Sequence, residues 1–149
     1  MRERFANELK AAMKAADKQR VDTIRMIMAA LKDREIEARG QGKTLSEEDV
    51  LALLQKMIKS RKESQEIYEK AGRLDLSAQE AGEISVISSF LPQQLSEAEV
   101  EAAIAAAIKE TGASSIKEMG KVVGALKGRY AGRMDFAKAA ARVKALFGG

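Results

Sequence analysis

Glycine recurs at every fourth position between residues 120 and 132, inside a stretch rich in lysine and arginine. Glycine leaves the backbone bare, and cationic groups beside a bare backbone attract anions. This combination favours the docking of a large anionic surface, such as the sugar–phosphate backbone of a nucleic acid. The recurring residues are Gly120, Gly124, Gly128 and Gly132.

If residues 115–126 form a helix, Gly120 and Gly124 lie on one side of it, away from its apolar residues. At about 100° per residue, the large apolar residues of this segment fall within an arc of roughly 120° and form a core stripe. Gly120 and Gly124 fall on the other side, where each exposed glycine costs about 1 kcal/mol relative to alanine. Three explanations remain open: an anion docks there, the glycines mark a helix end, or a neighbouring helix crosses there. Three lysines share this side of the helix, namely Lys117, Lys121 and Lys127.

The positive charge of the chain is concentrated in its last third. The net charge of the whole chain is +4. Residues 1–93 carry 17 Lys and Arg against 16 Asp and Glu, a net of +1, whereas residues 117–149 carry 8 against 2, a net of +6. This asymmetry favours a polyanionic partner, although a well-solvated surface would give the same count.

The residue types of a catalytic or metal site are scarce. The chain contains neither cysteine nor histidine, which removes thiolate chemistry, the commonest general base and the commonest transition-metal ligand. Its acids are typical of helix N-termini and surface ion pairs. Gly42, Lys43 and Thr44 resemble the end of a phosphate-binding loop, but Glu37 stands where that motif needs a glycine. We therefore expect no catalytic residue, no metal and no cofactor.

Composition and periodicity predict an all-α protein. The chain has one proline and no tryptophan, and it lacks the β-branched or aromatic runs that strands favour. Pro92 is the predicted domain boundary, because the residue before a proline is biased out of the helical region. We predict an N-terminal bundle of about four helices over residues 1–92 and a C-terminal bundle of about three helices over residues 93–149.

Local signals predict where individual helices begin. Ser46 and Ser96 each precede an acid by three residues, which is the form of a capping box. Asp135 is the predicted cap of the last helix. The first four helices are predicted over residues 5–16, 18–39, 47–71 and 75–90, and the last three over residues 97–109, 115–126 and from 136 onward.

The third helix is the longest and changes character along its length. Its first half is strongly apolar, whereas residues 59–66 contain no large apolar side chain. This pattern predicts that the middle of the helix projects beyond the core. Ile67 and Tyr68 are then expected to dock against the core again.

The sequence also bears on location. Its first residues lack the apolar stretch of a secretory signal peptide, and no apolar run approaches the length that spans a membrane. The absence of cysteine suits a reducing compartment. We expect a cytoplasmic protein with no membrane partner.

Three stretches of the chain resemble the YqeY-like family, which are small bacterial proteins of about this length. The resemblance implies a fold of two helical bundles. It also implies kinship with the tail region of the B subunit of tRNA-dependent amidotransferases, which convert glutamate or aspartate on the wrong tRNA into glutamine or asparagine. There the tail is a helical appendage that contacts the body of the tRNA. The three stretches are residues 61–76 (RKESQEIYEKAGRLDL), 90–96 (FLPQQLS), and 119–126 (MGKVVGAL) followed by 131–133 (AGR).

Together, the residues and the resemblance predict a non-catalytic tRNA-binding helper. One alternative is a helical protein–protein adaptor, in which the exposed glycines receive a partner helix. Another is an amidotransferase-associated activity, a carbon–nitrogen ligase with glutamine as amido donor, that needs partner subunits. Translation-related proteins are the expected protein partners, and the oligomeric state is left open. The predicted tRNA-binding residues are Lys117, Gly120, Lys121, Gly124, Lys127, Arg129 and Arg133.

Overall fold

The computed structural model describes residues 1–148, most of which are helical. No β-strand forms within those residues, so the all-α prediction is confirmed. None of the described helices is both long enough and apolar enough to cross a membrane. The helices are α1 (Arg2–Lys14), α2 (Lys18–Gly40), α3 (Glu47–Lys70), α4 (Leu74–Ser88), α5 (Glu97–Thr111), α6 (Met119–Tyr130) and α7 (Phe136–Leu146), and a short 3₁₀ turn, Ile116–Glu118, precedes α6.

The chain divides into two units between Leu91 and Pro92. The first unit contains α1 to α4 and the second contains α5 to α7. Each unit has a hydrophobic core of its own, in which apolar residues of its helices are buried.

The first unit closes around an aromatic pair. Phe5 of α1 and Phe90, just after α4, are fully buried and meet edge to face with ring centroids 4.9 Å apart. Such a pair contributes about 0.5–1.5 kcal/mol beyond its buried area. Arg4 holds the end of α4 in place, because its guanidinium donates a hydrogen bond of 2.7 Å to the Ser89 carbonyl and lies 5.1 Å from the Phe90 ring centroid. The rest of this core includes Ile24, Ile27, Val50, Leu54 and Ile87.

The prediction that α3 projects beyond the core is wrong, because α4 turns back and packs along it. Arg61, in the charged middle of α3, donates from Nε to Glu83 of α4 over 3.1 Å. Farther along, the Ser77 hydroxyl donates to Glu69 over 3.2 Å. Ile67 was expected to dock, but 65% of its surface is exposed.

The predicted helix caps are confirmed. The Ser46 hydroxyl accepts from the Asp49 amide over 3.1 Å, and the Asp49 carboxylate accepts from the Ser46 amide over 2.9 Å. Ser96 forms the same box at the start of α5. Asp135 accepts from two amides in the first turn of α7. Each cap contributes about 1 kcal/mol.

In the second unit α6 packs against both α5 and α7. A pair of hydrogen bonds also joins the segment before α5 to the connection after α6. The Leu95 amide donates to the Arg133 carbonyl over 2.9 Å, and Arg133 Nε donates to the Gln93 carbonyl over 2.9 Å. These bonds fix the end of α6 within its own unit. The most deeply buried side chains of this unit are Ile104, Val122, Leu126 and Val143.

Candidate nucleic-acid interface

α6 presents two opposite faces. Val122 and Leu126 lie in the core of the unit, with 0% and 1% of their surface exposed. At about 100° per residue, Gly124 lies about 160° away from each of them. The helix continues through Gly128 to Tyr130, so the predicted end at Leu126 is wrong. An exposed glycine costs only about 1 kcal/mol, and the packing of Leu126 and the half-buried Tyr130 outweighs that cost.

Gly120, Gly124 and Gly128 form an open stripe, which we call the glycine face. Apart from its chain neighbours and the nearby backbone of α6 itself, a Cβ added at any of the three would meet no atom of the described chain within 4 Å. Gly124 also lies in the middle of α6, so neither a helix end nor a crossing helix explains it. Gly132 has a different role, because it is buried and adopts a φ of +75° just after α6, where glycine commonly ends a helix. The glycine face extends over about 12 Å of helix.

Three exposed lysines surround the glycine face. Relative to Gly124, Lys121 lies about 60° to one side and Lys127 about 60° to the other. Lys117 lies in the 3₁₀ turn before α6 rather than in the α-helix that the sequence predicts. None of the three forms a salt bridge within residues 1–148. Their ammonium groups are therefore available to an anionic partner.

Arg129 lies about 140° from Gly124 around the helix, on another side of α6. Its guanidinium makes a two-point ion pair with Glu110 of α5, with Nη2 to Oε2 at 2.6 Å and Nη1 to Oε1 at 2.9 Å. The hydrogen bond that Arg129 donates to Glu110, followed by the negative charge of Glu110, raises the pKa of Arg129. The pair ties α6 to α5, and the structure does not bring Arg129 to the glycine face.

Arg133 lies beyond the end of α6 and is half-buried. Besides its hydrogen bond to the Gln93 carbonyl, its guanidinium lies 5.9 Å from the centroid of the Tyr130 ring. Both contacts hold the connection after α6. The structure thus brings five of the seven predicted residues together and gives Arg129 and Arg133 partners within the unit.

The predicted site leaves out Gly128, which the structure adds to the glycine face. The four-residue spacing of the glycines already included Gly128 in the sequence. That spacing places Gly128 on the glycine face only if the helix continues past Leu126. Glu118 is an acid at the start of α6, where its carboxylate accepts from the Ser114 amide over 3.2 Å and the Ser114 hydroxyl over 3.3 Å. That role is structural, because these bonds hold the connection between α5 and α6.

The glycine face combines bare backbone with positive charge, and its residues supply neither a nucleophile with an activating base nor a metal site. Among residues 1–148, no group of three or more acids could hold a metal ion. On α7, Arg142 is paired with Glu101 over 2.8 Å. Lys138 and Lys144 are exposed and extend the positive charge of the unit.

Comparison with known proteins assigns this chain to a family. A family model described as Yqey-like protein matches residues 2–147. Altered inheritance of mitochondria protein 41, mitochondrial, from Lachancea thermotolerans is 40% identical over 105 residues, which cover 69% of this chain and 55% of the relative. The protein of that name from Saccharomyces cerevisiae is 34% identical over 86 residues, which cover 58% of this chain and 45% of the relative. An uncharacterized protein from Schizosaccharomyces pombe is 32% identical over 85 residues, which cover 57% of this chain and 67% of the relative.

The first two of these relatives say little about the source and location of this chain. The matched part of the chain spans about half of their length. Both carry a mitochondrial name, so they support neither the bacterial source that the resemblance implies nor the expected cytoplasmic location. The family match does not depend on them, because it extends over nearly the whole chain. The chain belongs to the YqeY-like family.

Proposed function

We propose that this protein is a non-catalytic tRNA-binding helper whose second unit contacts tRNA through the glycine face. The observation that carries this proposal is the open glycine stripe on α6 with unpaired lysines on both sides of it. The fold itself makes no use of these bare positions, since a Cβ at Gly120, Gly124 or Gly128 would meet nothing within 4 Å.

The glycine face suits a phosphodiester backbone. Without a Cβ, the helix surface allows a bulky anionic chain to approach the peptide groups closely. Lys121 and Lys127 would then meet phosphates on either side of the stripe, and Lys117 would extend the contact toward the start of α6. Contacts of this kind position a nucleic acid without reading its sequence.

Structured RNA fits these contacts better than unpaired bases do. Folded RNA is recognised largely through shape, phosphates and 2′-hydroxyl groups. Aromatic residues make up only 4% of the chain, so stacking of unpaired bases is not the expected mode. Residues 120–124 are the part of the chain that most resembles the tail of the amidotransferase B subunit, which supports tRNA as the structured RNA.

The rival function is a protein–protein adaptor. Small residues spaced by four along a helix allow a second helix to approach closely. The glycine face has this spacing, and it therefore also suits a partner helix. The two functions differ in their dependence on charge, because helix packing at the glycines would not need the lysines.

Binding of bulk tRNA across a salt series tests the proposal. If three lysines contact phosphates, the logarithm of the affinity should fall by about 2–3 units for each tenfold rise in salt. We expect Lys121→Glu to weaken binding about tenfold, equivalent to about 1.4 kcal/mol. Fluorescence anisotropy with labelled tRNA measures both quantities.

The matched control is Lys10→Glu, which makes the same change in net charge at an exposed lysine of α1. Equal losses in the two variants would indicate non-specific attraction, and unchanged affinity in Lys121→Glu would overturn the proposed site. If tRNA does not bind but Gly124→Leu abolishes capture of a protein partner while Lys121→Glu does not, the adaptor is the correct function.

A further inference from the structure

A cleft of about 400 Å³ lies in the first unit, between the end of α2 and the start of α3. Small-molecule sites commonly have volumes of about 300–1,000 Å³, so the cleft is large enough for a small ligand. A smaller hollow of about 240 Å³ adjoins it and shares the lining of residues 43–45. Neither cavity belongs to the glycine face, which lies in the second unit.

Three cationic side chains from three elements line this cleft. Arg34 belongs to α2, Lys43 to the connection and Lys56 to α3. None of them forms a salt bridge within the described chain. By contrast, Arg2 at the smaller hollow is paired with Glu35. The cleft thus gathers three cations that form no salt bridge, and one of them, Arg34, interacts electrostatically with Asp49 and helps to lower its pKa.

The two acids of the lining differ in how far they can oppose an anionic ligand. Asp49 accepts a hydrogen bond from the Ser46 amide at 2.9 Å within the cap of α3. The backbone bond from Ser46, and then the bond from its hydroxyl, lower the pKa of Asp49. Its charge is thereby balanced in part by the start of the helix. Glu37 is the other acid, so cations exceed acids in the lining.

Two backbone amides of the connection, those of Gly42 and Lys43, already have partners and are not available to hold a phosphate. The Gly42 amide donates to the Arg39 carbonyl over 3.0 Å, and the Lys43 amide donates to the Ala38 carbonyl over 2.8 Å. Together with the φ of +70° at Gly42, these bonds form a helix-ending Schellman motif. The Gly42 and Lys43 amides therefore cannot cradle a phosphate as the amides of a phosphate-binding loop do, and the cations of the cleft are side-chain groups.

The rest of the lining is divided between apolar and neutral polar groups. The amide of Gln41 and the hydroxyl of Thr44 can exchange hydrogen bonds with a ligand, and both side chains are exposed. A cationic rim around an apolar surface favours a ligand that joins a phosphate to a flat, weakly polar body. The apolar lining residues are Ala38, Leu45, Ala52 and Leu53.

We propose that this cleft binds a nucleoside phosphate, with the phosphate held by Arg34, Lys43 and Lys56 and the nucleoside lying against the apolar lining. Either a free nucleotide or an unpaired nucleotide of an RNA chain supplies this chemistry. The proposal stands on residues of the first unit alone, so it does not depend on the function proposed for the glycine face.

Titration of the full-length ¹⁵N-labelled protein followed by NMR tests this site. The probes are AMP, adenosine, inorganic phosphate and a 5′-phosphorylated RNA tetranucleotide. We expect AMP to cause saturable chemical-shift changes at the amides of residues 41–45. Adenosine alone and phosphate alone should each bind at least about tenfold more weakly than AMP. Tighter binding of the tetranucleotide than of AMP would identify RNA as the source, and the reverse order would identify a free nucleotide.

The test variants are Arg34→Gln and Lys43→Gln, with Lys10→Gln as the control at an exposed lysine of α1. Each test variant should weaken AMP binding about fivefold or more, a loss of about 1 kcal/mol, while the control leaves it unchanged. All three positions are exposed, and unchanged spectra of the unbound variants would show that they fold. The proposal is overturned if neither AMP nor the tetranucleotide binds saturably, if phosphate alone binds as tightly as AMP, or if the test variants bind like the control.

Discussion

Glycine lies inside two helices, α4 and α6, and the two cases differ in what fills the space of the missing side chain. At Gly82 of α4, a Cβ would lie 2.2 Å from Nε2 of Gln19, at the start of α2. At Gly124 of α6, a Cβ would meet no described atom within 4 Å beyond its chain neighbours and the nearby backbone of its own helix. The Gln19 side chain fills the space at the first glycine, whereas no side chain fills the space at the second. A glycine that lowers helix stability by about 1 kcal/mol without a packing role points to a role outside the fold.

The charged side chains near these glycines differ in the same way. Arg61 and Glu83, which join α3 to α4, have only 17% and 15% of their side-chain surface exposed. Lys121 and Lys127, beside the glycines of α6, are exposed and form no salt bridge within the described chain. Charge on α4 therefore serves packing within the unit, and charge on this side of α6 is available to a partner.

Leucine at each glycine gives the largest expected contrast. Gly82→Leu must displace the terminal amide of Gln19 at the contact of α2 with α4, and because that exposed side chain can turn away we expect the free energy of unfolding to fall by only about 1 kcal/mol. Gly124→Leu adds a side chain in open space on a helix, so we expect a rise of about 0.5–1 kcal/mol. Urea denaturation followed by circular dichroism measures both changes. Equal stability of the two variants would mean that Gln19 moves aside without cost and that the comparison fails.

Alanine at the glycine face separates stability from binding. We expect the double variant Gly120→Ala/Gly124→Ala to raise the free energy of unfolding by about 1–2 kcal/mol, since each change removes backbone freedom from the unfolded chain. Its tRNA affinity should fall, because two methyl groups then lie between the backbone and the phosphates. Thermal unfolding and anisotropy are the measurements.

Gly40→Ala is the control for this double variant. Gly40 is the last residue of α2, and a Cβ there also meets nothing within 4 Å. The Gly40→Ala variant should be more stable than the wild type and should bind tRNA with unchanged affinity. A double variant that is more stable and binds as tightly as the wild type would show that the bare backbone is not needed.

The smallest expected effect concerns a carboxyl group on α4. Burial, followed by repulsion from Glu83, raises the pKa of Glu80, and Arg61 opposes this shift. Because the folded pKa lies above the unfolded one, ionised Glu80 lowers stability at neutral pH, and this cost disappears as the pH falls through the folded pKa. We expect Glu80→Gln to be more stable at pH 7 by about 0.5 kcal/mol, with a difference that shrinks in acid.

Asp49→Asn should show the opposite dependence on pH. Hydrogen bonds from Ser46 lower the pKa of Asp49, so its stabilisation is complete above the unfolded pKa and is lost as the pH falls through the folded pKa. The variant should therefore be less stable than the wild type at pH 7 and match it in acid. Denaturation curves at several pH values measure the stability of Glu80→Gln and Asp49→Asn relative to the wild type. If both variants changed stability at pH 7 in the same direction, the opposite pKa shifts assigned to Glu80 and Asp49 would be contradicted.

The sequence predicts the features that depend on neighbouring residues. Ser46, Ser96 and Asp135 cap their helices as expected, because a cap needs only the amides two or three residues ahead. The exposure of Gly124 could also be predicted, since it follows from helical periodicity and the apolar residues on the opposite face.

Features that depend on distant residues could not be predicted. Arg129 looks free in the sequence, but its partner Glu110 lies 19 residues earlier on another helix. Ile67 looks like a core residue, and its exposure follows from the side on which α4 packs, which periodicity does not specify. The continuation of α6 through Gly128 depends on tertiary packing after Leu126 that outweighs weak local helix propensity.

The helices pack mainly with their neighbours along the chain: α1 with α2, α3 with α4, α5 with α6, and α6 with α7. Contacts between segments that are close in sequence close short loops and lose little entropy, so chains with this topology fold in microseconds to milliseconds. The apolar faces of such a chain are exposed only briefly while it is being synthesised, which limits aggregation. We therefore expect this protein to reach its folded state in the cell without prolonged help from chaperones.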